Sequence, residues 1–95
     1  MERKMVYVAR SDRDGADSFD IAVAYDICEA RAAMMQDRRN MTPKERSASD
    51  CYVVGFMIPT DPGKSASSAY RAFLSGLIDM PAPDYYEGMP DDMEV

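Results

Sequence analysis

The stretch FDIAVAYDICEARAAMMQDRRNMTPKERSASDCYVVGFMI, residues 19–58, contains most of the information that decides the fold. Near its start, Ser18 to Tyr25 carries apolar residues at every second position, namely Phe19, Ile21, Val23 and Tyr25. This alternation is typical of a half-buried strand, so we expect these four side chains on one face. At its end, Cys51 to Ile58 is the most apolar run and predicts another strand, with a shared face of Tyr52, Val54, Phe56 and Ile58.

Two helices are predicted between these strands. Asp26 precedes the first, and Glu29 follows at the spacing of a capping box, in which each residue bonds the other's backbone N–H. The apolar stripe of this helix comprises Ile27, Ala30, Met34 and Met41, and the side chains expected to point away are Arg31, Asp37 and Arg38. Thr42 and Glu45 repeat the capping-box spacing, with proline at the first helical position, and predict a short second helix through Ser47.

The flanking segments add a strand and a helix. Met5 to Arg10 is rich in β-branched and aromatic residues, and Asp14-Gly15 predicts a hairpin turn between it and the strand at Ser18 to Tyr25. Ser65 to Asp79 predicts a helix with an apolar stripe of Ala66, Ala69, Tyr70, Phe73, Leu74, Leu77 and Ile78. Three prolines then follow Met80, so we expect no regular element in the remainder of the chain.

These elements predict an α+β fold in the order ββα(α)βα. A small antiparallel sheet of about three strands would pack against two to three helices. We expect residues 1–79 to form a single domain and residues 80–95 to form an acidic C-terminal segment containing Pro, Tyr and Met. An exposed edge strand is also expected, and it would allow a homodimer to form by strand pairing or helix packing.

Charge is the most informative property of the composition. The 95 residues carry a formal net charge of −6, yet residues 1–78 hold equal numbers of acidic and basic side chains. All the net charge therefore lies in residues 79–95, which suggests an acidic strip attached to a neutral globule. Two cysteines are too few for a disulfide scaffold, and no window has the length of a membrane span. We expect a cytoplasmic protein, in the cytoplasm of a bacterial host.

The candidate catalytic and metal sites each lack an essential residue. Gly63-Lys64-Ser65 precedes a predicted helix, but a phosphate-binding loop needs a glycine where this chain has Ile58. A calcium loop around Asp12, Asp14, Gly15 and Asp17 would place non-ligating residues at its first and closing positions. The chain contains no histidine to serve as a base for Cys28, so both cysteines are expected to pack as small apolar side chains. We therefore expect no enzyme activity, no cofactor and no bound metal.

Methionines and basic residues form two further groups. We expect Met34, Met35, Met41 and Met57 to lie in the core, with a soft partner-binding groove as the less favoured interpretation. Arg38, Arg39, Lys44 and Arg46 cluster around the end of the first helix without interleaved aromatic residues. Because the chain is acidic overall, a solvated face is expected there and direct nucleic-acid binding is not.

Residues 19–58 resemble a class of short proteins from phages and other mobile elements. In that class a strand leads into an Ala/Glu-rich helix, a polar turn with the pattern (L/M)T-x-x-E and a closing strand. The residues that carry the resemblance are Asp26, Glu29, Ala30, Asp37, Asn40, Met41, Thr42, Glu45, Arg46, Tyr52 and Val53. The resemblance transfers no catalytic residue. It implies a protein that acts by binding, as small acidic anti-CRISPR and other anti-defence inhibitors do.

The acidic C-terminal segment provides the candidate binding site. Adjacent tyrosines among carboxylates fold back onto the sheet, anchor a basic partner or belong to a purely disordered tail. We expect the partner to be a larger protein with a basic surface, such as a nucleic-acid-binding protein or nuclease. The expected binding residues are Asp84, Tyr85, Tyr86, Glu87, Asp91 and Asp92. The alternative is a structural or regulatory module that acts through a dimer interface or an exposed sheet face, with the tail only solubilising.

Overall fold

The structure, a computed structural model, describes residues 2–13 and 18–88, in which it contains four strands and three helices. The strands are β1 (Glu2–Arg13), β2 (Phe19–Ala24), β3 (Ser49–Thr60) and β4 (Tyr85–Gly88). The helices are α1 (Ile27–Arg39), α2 (Pro43–Ser47) and α3 (Ala66–Ser75). The predicted α+β class is confirmed, but the sheet has one strand more than expected. The Asp14-Gly15 turn lies outside the described residues.

The sheet is antiparallel throughout, with the strand order β2-β1-β3-β4. β1 and β3 pair without interruption from Glu2 opposite Thr60 to Arg13 opposite Ser49. Both central strands are longer than their apolar runs. Pairing continues into the polar ends because each added residue satisfies backbone donors and acceptors on the facing strand.

Helices cover both faces of this sheet, so two small cores form instead of one. On the face of α1, the buried residues are Ala9, Ala30, Met34, Met41, Cys51 and Val53. On the face of α3, they are Val6, Val8, Val54, Phe56, Ile58, Ala66, Ala69 and Tyr70. Since β3 is buried on both faces, its sequence is an almost continuous apolar run rather than an alternating one.

A β-bulge changes the predicted faces of β2. The register shifts between Ala9 and Arg10, which lie opposite Ala22 and Asp20. Ile21 is the extra residue, and it packs against the α1 core, whereas Val23 packs against the α3 core. The prediction that the apolar residues of this strand share one face is therefore wrong, because an inserted residue reverses the alternation.

The predicted starts of α1 and α2 are confirmed, but the outward orientation predicted for one residue of α1 is wrong. The Asp26 carboxylate accepts a hydrogen bond from the Cys28 N–H, and the Thr42–Glu45 capping box has both of its bonds. Arg38, expected on the solvent side of α1, is only 7% exposed. Its Nη1 donates to the carbonyl oxygen of Ser49 at 3.4 Å.

The C-terminal part of the chain differs most from expectation. α3 ends at Ser75 with Gly76 as its cap, so Ile78 is fully exposed rather than part of an apolar stripe. Beyond the connection, residues 85–88 pair with β3, and the prediction that no regular element follows Met80 is wrong. The prolines at 81 and 83 precede this short run, which leaves its backbone N–H groups free to pair.

Candidate functional site

β4 brings the acidic and aromatic segment back onto the sheet. Gly55 lies opposite Tyr85, Val54 opposite Tyr86, and Val53 opposite Glu87. Directly opposed residues of an antiparallel pair share a face, so Tyr85 and Glu87 lie on the α1 side and Tyr86 lies on the α3 side. Of the three alternatives expected for this segment, the structure shows that residues 85–88 fold back onto the sheet. Each side chain of β4 then has a different environment.

Glu87 is held by a bidentate ion pair. Arg31 of α1 donates from Nε to Oε2 at 2.7 Å and from Nη2 to Oε1 at 2.5 Å, and the Tyr85 hydroxyl donates to Oε1 at 2.8 Å. Hydrogen bonds from Arg31 are the largest cause that lowers the pKa of Glu87, and the bond to Glu87 raises the pKa of Tyr85. Because its charge is neutralised within the chain, Glu87 is poorly suited to contact a basic partner.

Asp84 and Tyr85 also make contacts within the molecule. The Asp84 carboxylate accepts a hydrogen bond from the Met57 N–H at 2.7 Å, which satisfies a donor on the outer edge of β3. The Tyr85 ring meets the Tyr7 ring edge-on, with 5.8 Å between the centroids. These two residues therefore hold β4 in place. Asp91 and Asp92, the remaining acidic residues of the predicted site, lie outside the described residues.

Tyr86 has 64% of its surface exposed, and Asp84, which is also exposed, lies just before β4. The Tyr86 ring lies 5.7 Å from that of Tyr52, measured between centroids, at an angle of 36°. Two carboxylates lie farther along the same face. Asp12 of β1 lies directly opposite Asp50 of β3, and Asp50 is two residues from Tyr52 in the same strand, so the three side chains share a face. We call these four residues, Asp12, Asp50, Tyr52 and Tyr86, the open face.

The open face lies beyond the reach of α3. Tyr70 of this helix accepts a hydrogen bond from Arg10 Nη2 at 2.5 Å, and Arg10 Nε also bonds the Asp20 carboxylate at 2.9 Å. The Arg10 guanidinium, which lies next to the open face, is thus bound to Tyr70 and Asp20. The exposure of Tyr86 and Asp50 shows that the helix stops short of this corner of the sheet.

Asp12 is a carboxylate of the open face that is hydrogen-bonded within the molecule. It accepts hydrogen bonds from the hydroxyls of Tyr52, at 3.1 Å, and Ser18. Burial and the bond to Asp12 raise the pKa of Tyr52, so its hydroxyl keeps its proton at neutral pH. Two carboxylates directly opposed on neighbouring strands repel each other, and this arrangement lowers stability instead of adding to it.

Sequence reasoning missed Asp12, Asp50 and Tyr52 as members of one surface. Asp50 and Tyr52 are two residues apart in a strand, and that spacing places them on one face. The position of Asp12 follows only from the pairing of β1 with β3, which no local pattern reveals. Tyr52 was predicted to share a face with Val54, Phe56 and Ile58, and it does so as a half-buried residue at the edge of the α3 core.

The other candidate sites remain without supporting geometry. Ser65 caps α3 through the Ser68 N–H, and Gly63 takes a positive φ of 80°, as a turn requires. Both cysteines are free, Cys51 buried as expected and Cys28 exposed, so the packing predicted for Cys28 is wrong. Met57 is also exposed rather than in the core. In residues 2–13 and 18–88, no group of three or more potential metal-ligating side chains is present.

Comparisons with known proteins add no relative. Neither the protein-family models, nor the curated proteins, nor the solved structures give a match to this chain. None of the helices in the described part of the chain has the length and apolar character needed to cross a membrane. The open face is therefore interpreted from its own geometry and chemistry.

Proposed function

We propose that this chain is a non-enzymatic binding protein that docks its open face onto a basic surface of a larger protein. The observation that carries this proposal is Tyr86, which is 64% exposed on a paired strand beside Tyr52. A large aromatic ring fixed on a sheet exposes apolar area to water, and a partner that covered the ring would remove that area from water. The acidic side chains beside it define the charge of that partner.

The aromatic pair has the properties of a binding anchor. Tyrosine is enriched among the residues that dominate binding energy, since it offers a large contact area with few rotatable bonds. The Tyr52 ring supports Tyr86 from within the sheet, so little side-chain freedom is left to lose on binding. We therefore assign Tyr86 as the anchor and Tyr52 as its support.

The carboxylates of the open face supply electrostatic complementarity. Asp12 and Asp50 are opposed across the ladder, which places their Cα atoms about 5 Å apart. Such a pair presents concentrated negative charge, and it would attract the arginine and lysine side chains that otherwise bind nucleic-acid phosphates. A nucleic-acid-binding protein or nuclease is the partner that fits this chemistry.

We extend this proposal to an anti-defence inhibitor because the sequence of residues 19–58 was expected to resemble short phage and mobile-element proteins. In this proposal Asp84, Tyr85 and Glu87 have a different role from the one expected from sequence. They attach β4 to the sheet, and β4 presents Tyr86. Asp91 and Asp92 stay candidates for partner contact, to be tested separately.

Photo-crosslinking tests the proposed face directly. A photoreactive phenylalanine analogue replaces Tyr86 in one variant and exposed Ser68 of α3 in a matched control. Both proteins are incubated with bacterial lysate at low and high salt, with heparin added as a polyanionic competitor. We expect a crosslinked basic protein at position 86 alone, reduced by salt and by heparin. Equal crosslinking at both positions, unaffected by heparin, would contradict the proposal.

A homodimer is the second candidate, and the position of β2 favours it. Within residues 2–13 and 18–88, β2 lies at the edge of the sheet and pairs with β1, and Phe19 at its start is 40% exposed. A second copy could pair along this edge. Sedimentation velocity between about 1 and 100 µM tests the dimer, and a constant monomer mass across that range (a window that covers ordinary dimer affinities) would exclude it.

A further inference from the structure

A cleft lies between the turn that follows β3 and one face of α3. Asp61 and Lys64 line it from the turn, and Ala69, Ala72 and Phe73 line it from the helix. Its volume is about 210 Å³, which is below the roughly 300 Å³ at which sites for drug-sized ligands begin. The cleft is therefore suited to a ligand smaller than those.

The turn beside this cleft has a defined geometry. The Asp61 carbonyl oxygen accepts a hydrogen bond from the Lys64 N–H at 3.2 Å, which closes a β-turn with Pro62 and Gly63 at its centre. Gly63 has a φ of 80° and follows a proline, as a type II turn requires. In such a turn the Cα atoms of the first and fourth residues lie within about 7 Å of each other. An acidic and a basic residue are therefore held close together at the cleft.

Side-chain hydrogen bonds attach the turn to the sheet. The Tyr25 hydroxyl donates to the Lys64 carbonyl oxygen at 2.8 Å and forms a 2.9 Å hydrogen bond with the hydroxyl of Thr60. Thr60 is the last residue of β3 and is only 3% exposed, so these bonds connect the turn to a buried position. The backbone that carries Asp61 and Lys64 is thus ordered before a ligand binds, which reduces the entropic cost of binding.

The charges and the apolar wall of the cleft define the chemistry of its ligand. In the described part of the chain, neither the Asp61 carboxylate nor the Lys64 ammonium forms an ion pair. The helix side is apolar, and the Phe73 ring is held there by packing on Phe56, with 6.0 Å between centroids. A matching ligand carries an ammonium, a carboxylate and an apolar group on one small frame. A phosphate does not match, because the Asp61 carboxylate would repel it.

We propose that this cleft binds a free α-amino acid with an apolar side chain. Asp61 pairs with the ligand's ammonium, Lys64 pairs with its carboxylate, and the ligand's side chain packs against Phe73. Thr60, which also lines the cleft, and Tyr52 of the open face are eight residues apart in β3, a separation of about 26 Å. The cleft is thus separate from the open face, so either proposal can fail while the other stands.

A series of related ligands tests the cleft by NMR titration of the full chain. The backbone amides of Lys64 and Ala72 report binding, and the probes are L-leucine, N-acetyl-L-leucine, L-leucinamide and glycine. The last three lack the ammonium, the carboxylate and the apolar side chain, in that order. We expect L-leucine to saturate the chemical-shift changes below about 10 mM, and each of the other three to bind about tenfold more weakly. No saturation with L-leucine, or equal binding of glycine and L-leucine, would overturn the proposal.

A matched set of charge variants tests each contact. Asp61 and Lys64 are exposed and their turn is closed by backbone atoms, so Asp61→Asn and Lys64→Gln should leave the fold intact. We expect Asp61→Asn to bind L-leucine and N-acetyl-L-leucine equally, and Lys64→Gln to bind L-leucine and L-leucinamide equally. Lys44→Gln and Asp50→Asn, at exposed positions outside the cleft, should keep the wild-type affinity for L-leucine. Wild-type affinity ratios in either cleft variant, or weaker binding in either control, would overturn the assignment.

Discussion

Arg31 on α1 and Glu87 on β4 are joined by two parallel hydrogen bonds of 2.7 and 2.5 Å, although 56 residues separate them in the chain. This pair connects the helix of one face to the edge strand that presents Tyr86. The bidentate geometry fixes both the position and the orientation of the carboxylate. The acidic segment is thus attached to α1 by the carboxylate of Glu87, a residue that was expected to contact a partner.

The pair makes the stability of the protein depend on pH at the acidic end. Arg31 lowers the pKa of Glu87 below its ordinary value of 4.5, so its contribution is complete above that value. It is lost as the pH falls through the lower pKa of the folded state. We expect urea midpoints to fall between pH 6 and pH 3, and to fall less in Glu87→Gln. An identical pH profile for the two proteins would contradict this role.

Close packing at Gly55 gives a second prediction. A Cβ there would lie 3.0 Å from Met5 Sδ, 3.1 Å from Tyr85 Cβ and 3.3 Å from Tyr7 Cδ1. Met5 can move aside, but Tyr85 Cβ belongs to β4, so Gly55→Ala should displace that strand and cost about 1–3 kcal/mol. Urea unfolding measures the loss.

Gly76→Ala is the control for Gly55. A Cβ at Gly76 would have Phe73 O as its nearest neighbour at 3.8 Å, and φ is −92°. Alanine fits that conformation without strain, so stability should be unchanged or rise by up to about 1 kcal/mol. A Gly55→Ala protein as stable as wild type, or Gly76→Ala the more damaging of the two, would show that β4 does not pack as described.

Phe56 gives the third prediction, for the core beneath α3. Its ring lies about 6 Å from those of Tyr70 and Phe73, with 5.9 and 6.0 Å between centroids, and only 2% of its surface is exposed. Phe56→Ala should cost about 3–5 kcal/mol, a large part of the stability of a small domain. Met57→Ala, at the exposed neighbouring position, should cost less than about 1 kcal/mol. Similar losses for both would contradict the assignment of faces in β3.

Local signals in the sequence account for the parts of the fold that were predicted correctly. Thr42 and Glu45 satisfy each other's backbone groups within four residues, so their spacing is sufficient to place the start of α2. The apolar runs of β1 and β3 are likewise sufficient to predict that these segments are buried strands. What these signals do not contain is the pairing of distant segments, because the energy of pairing depends on residues elsewhere in the chain.

Several residues that were placed wrongly depend on such distant contacts. Ile21 changes face because of a bulge opposite β1, and Arg38 is buried because β3 passes beneath the end of α1. β4 has only four residues, and its stability comes from Arg31, Tyr7 and the edge of β3 rather than from its own propensity. For the same reason, sequence could not show that Asp84, Tyr85 and Glu87 hold β4 in place while Tyr86 stays exposed on it.

The last prediction concerns the two cysteines, because one is exposed and the other is buried in the same molecule. Cys28 is exposed in the first turn of α1, whereas Cys51 is 3% exposed in the core on the α1 side of the sheet. A thiol reagent added to the native protein should modify one cysteine rapidly and the second at least about a hundredfold more slowly, since Cys51 must wait for local opening. Mass spectrometry gives the number of labels with time, and Cys28→Ser should abolish the rapid phase without changing the slow one. Two labels at equal rates would mean that the α1 core opens readily, and the packing of α1 on β3 described above would then be wrong.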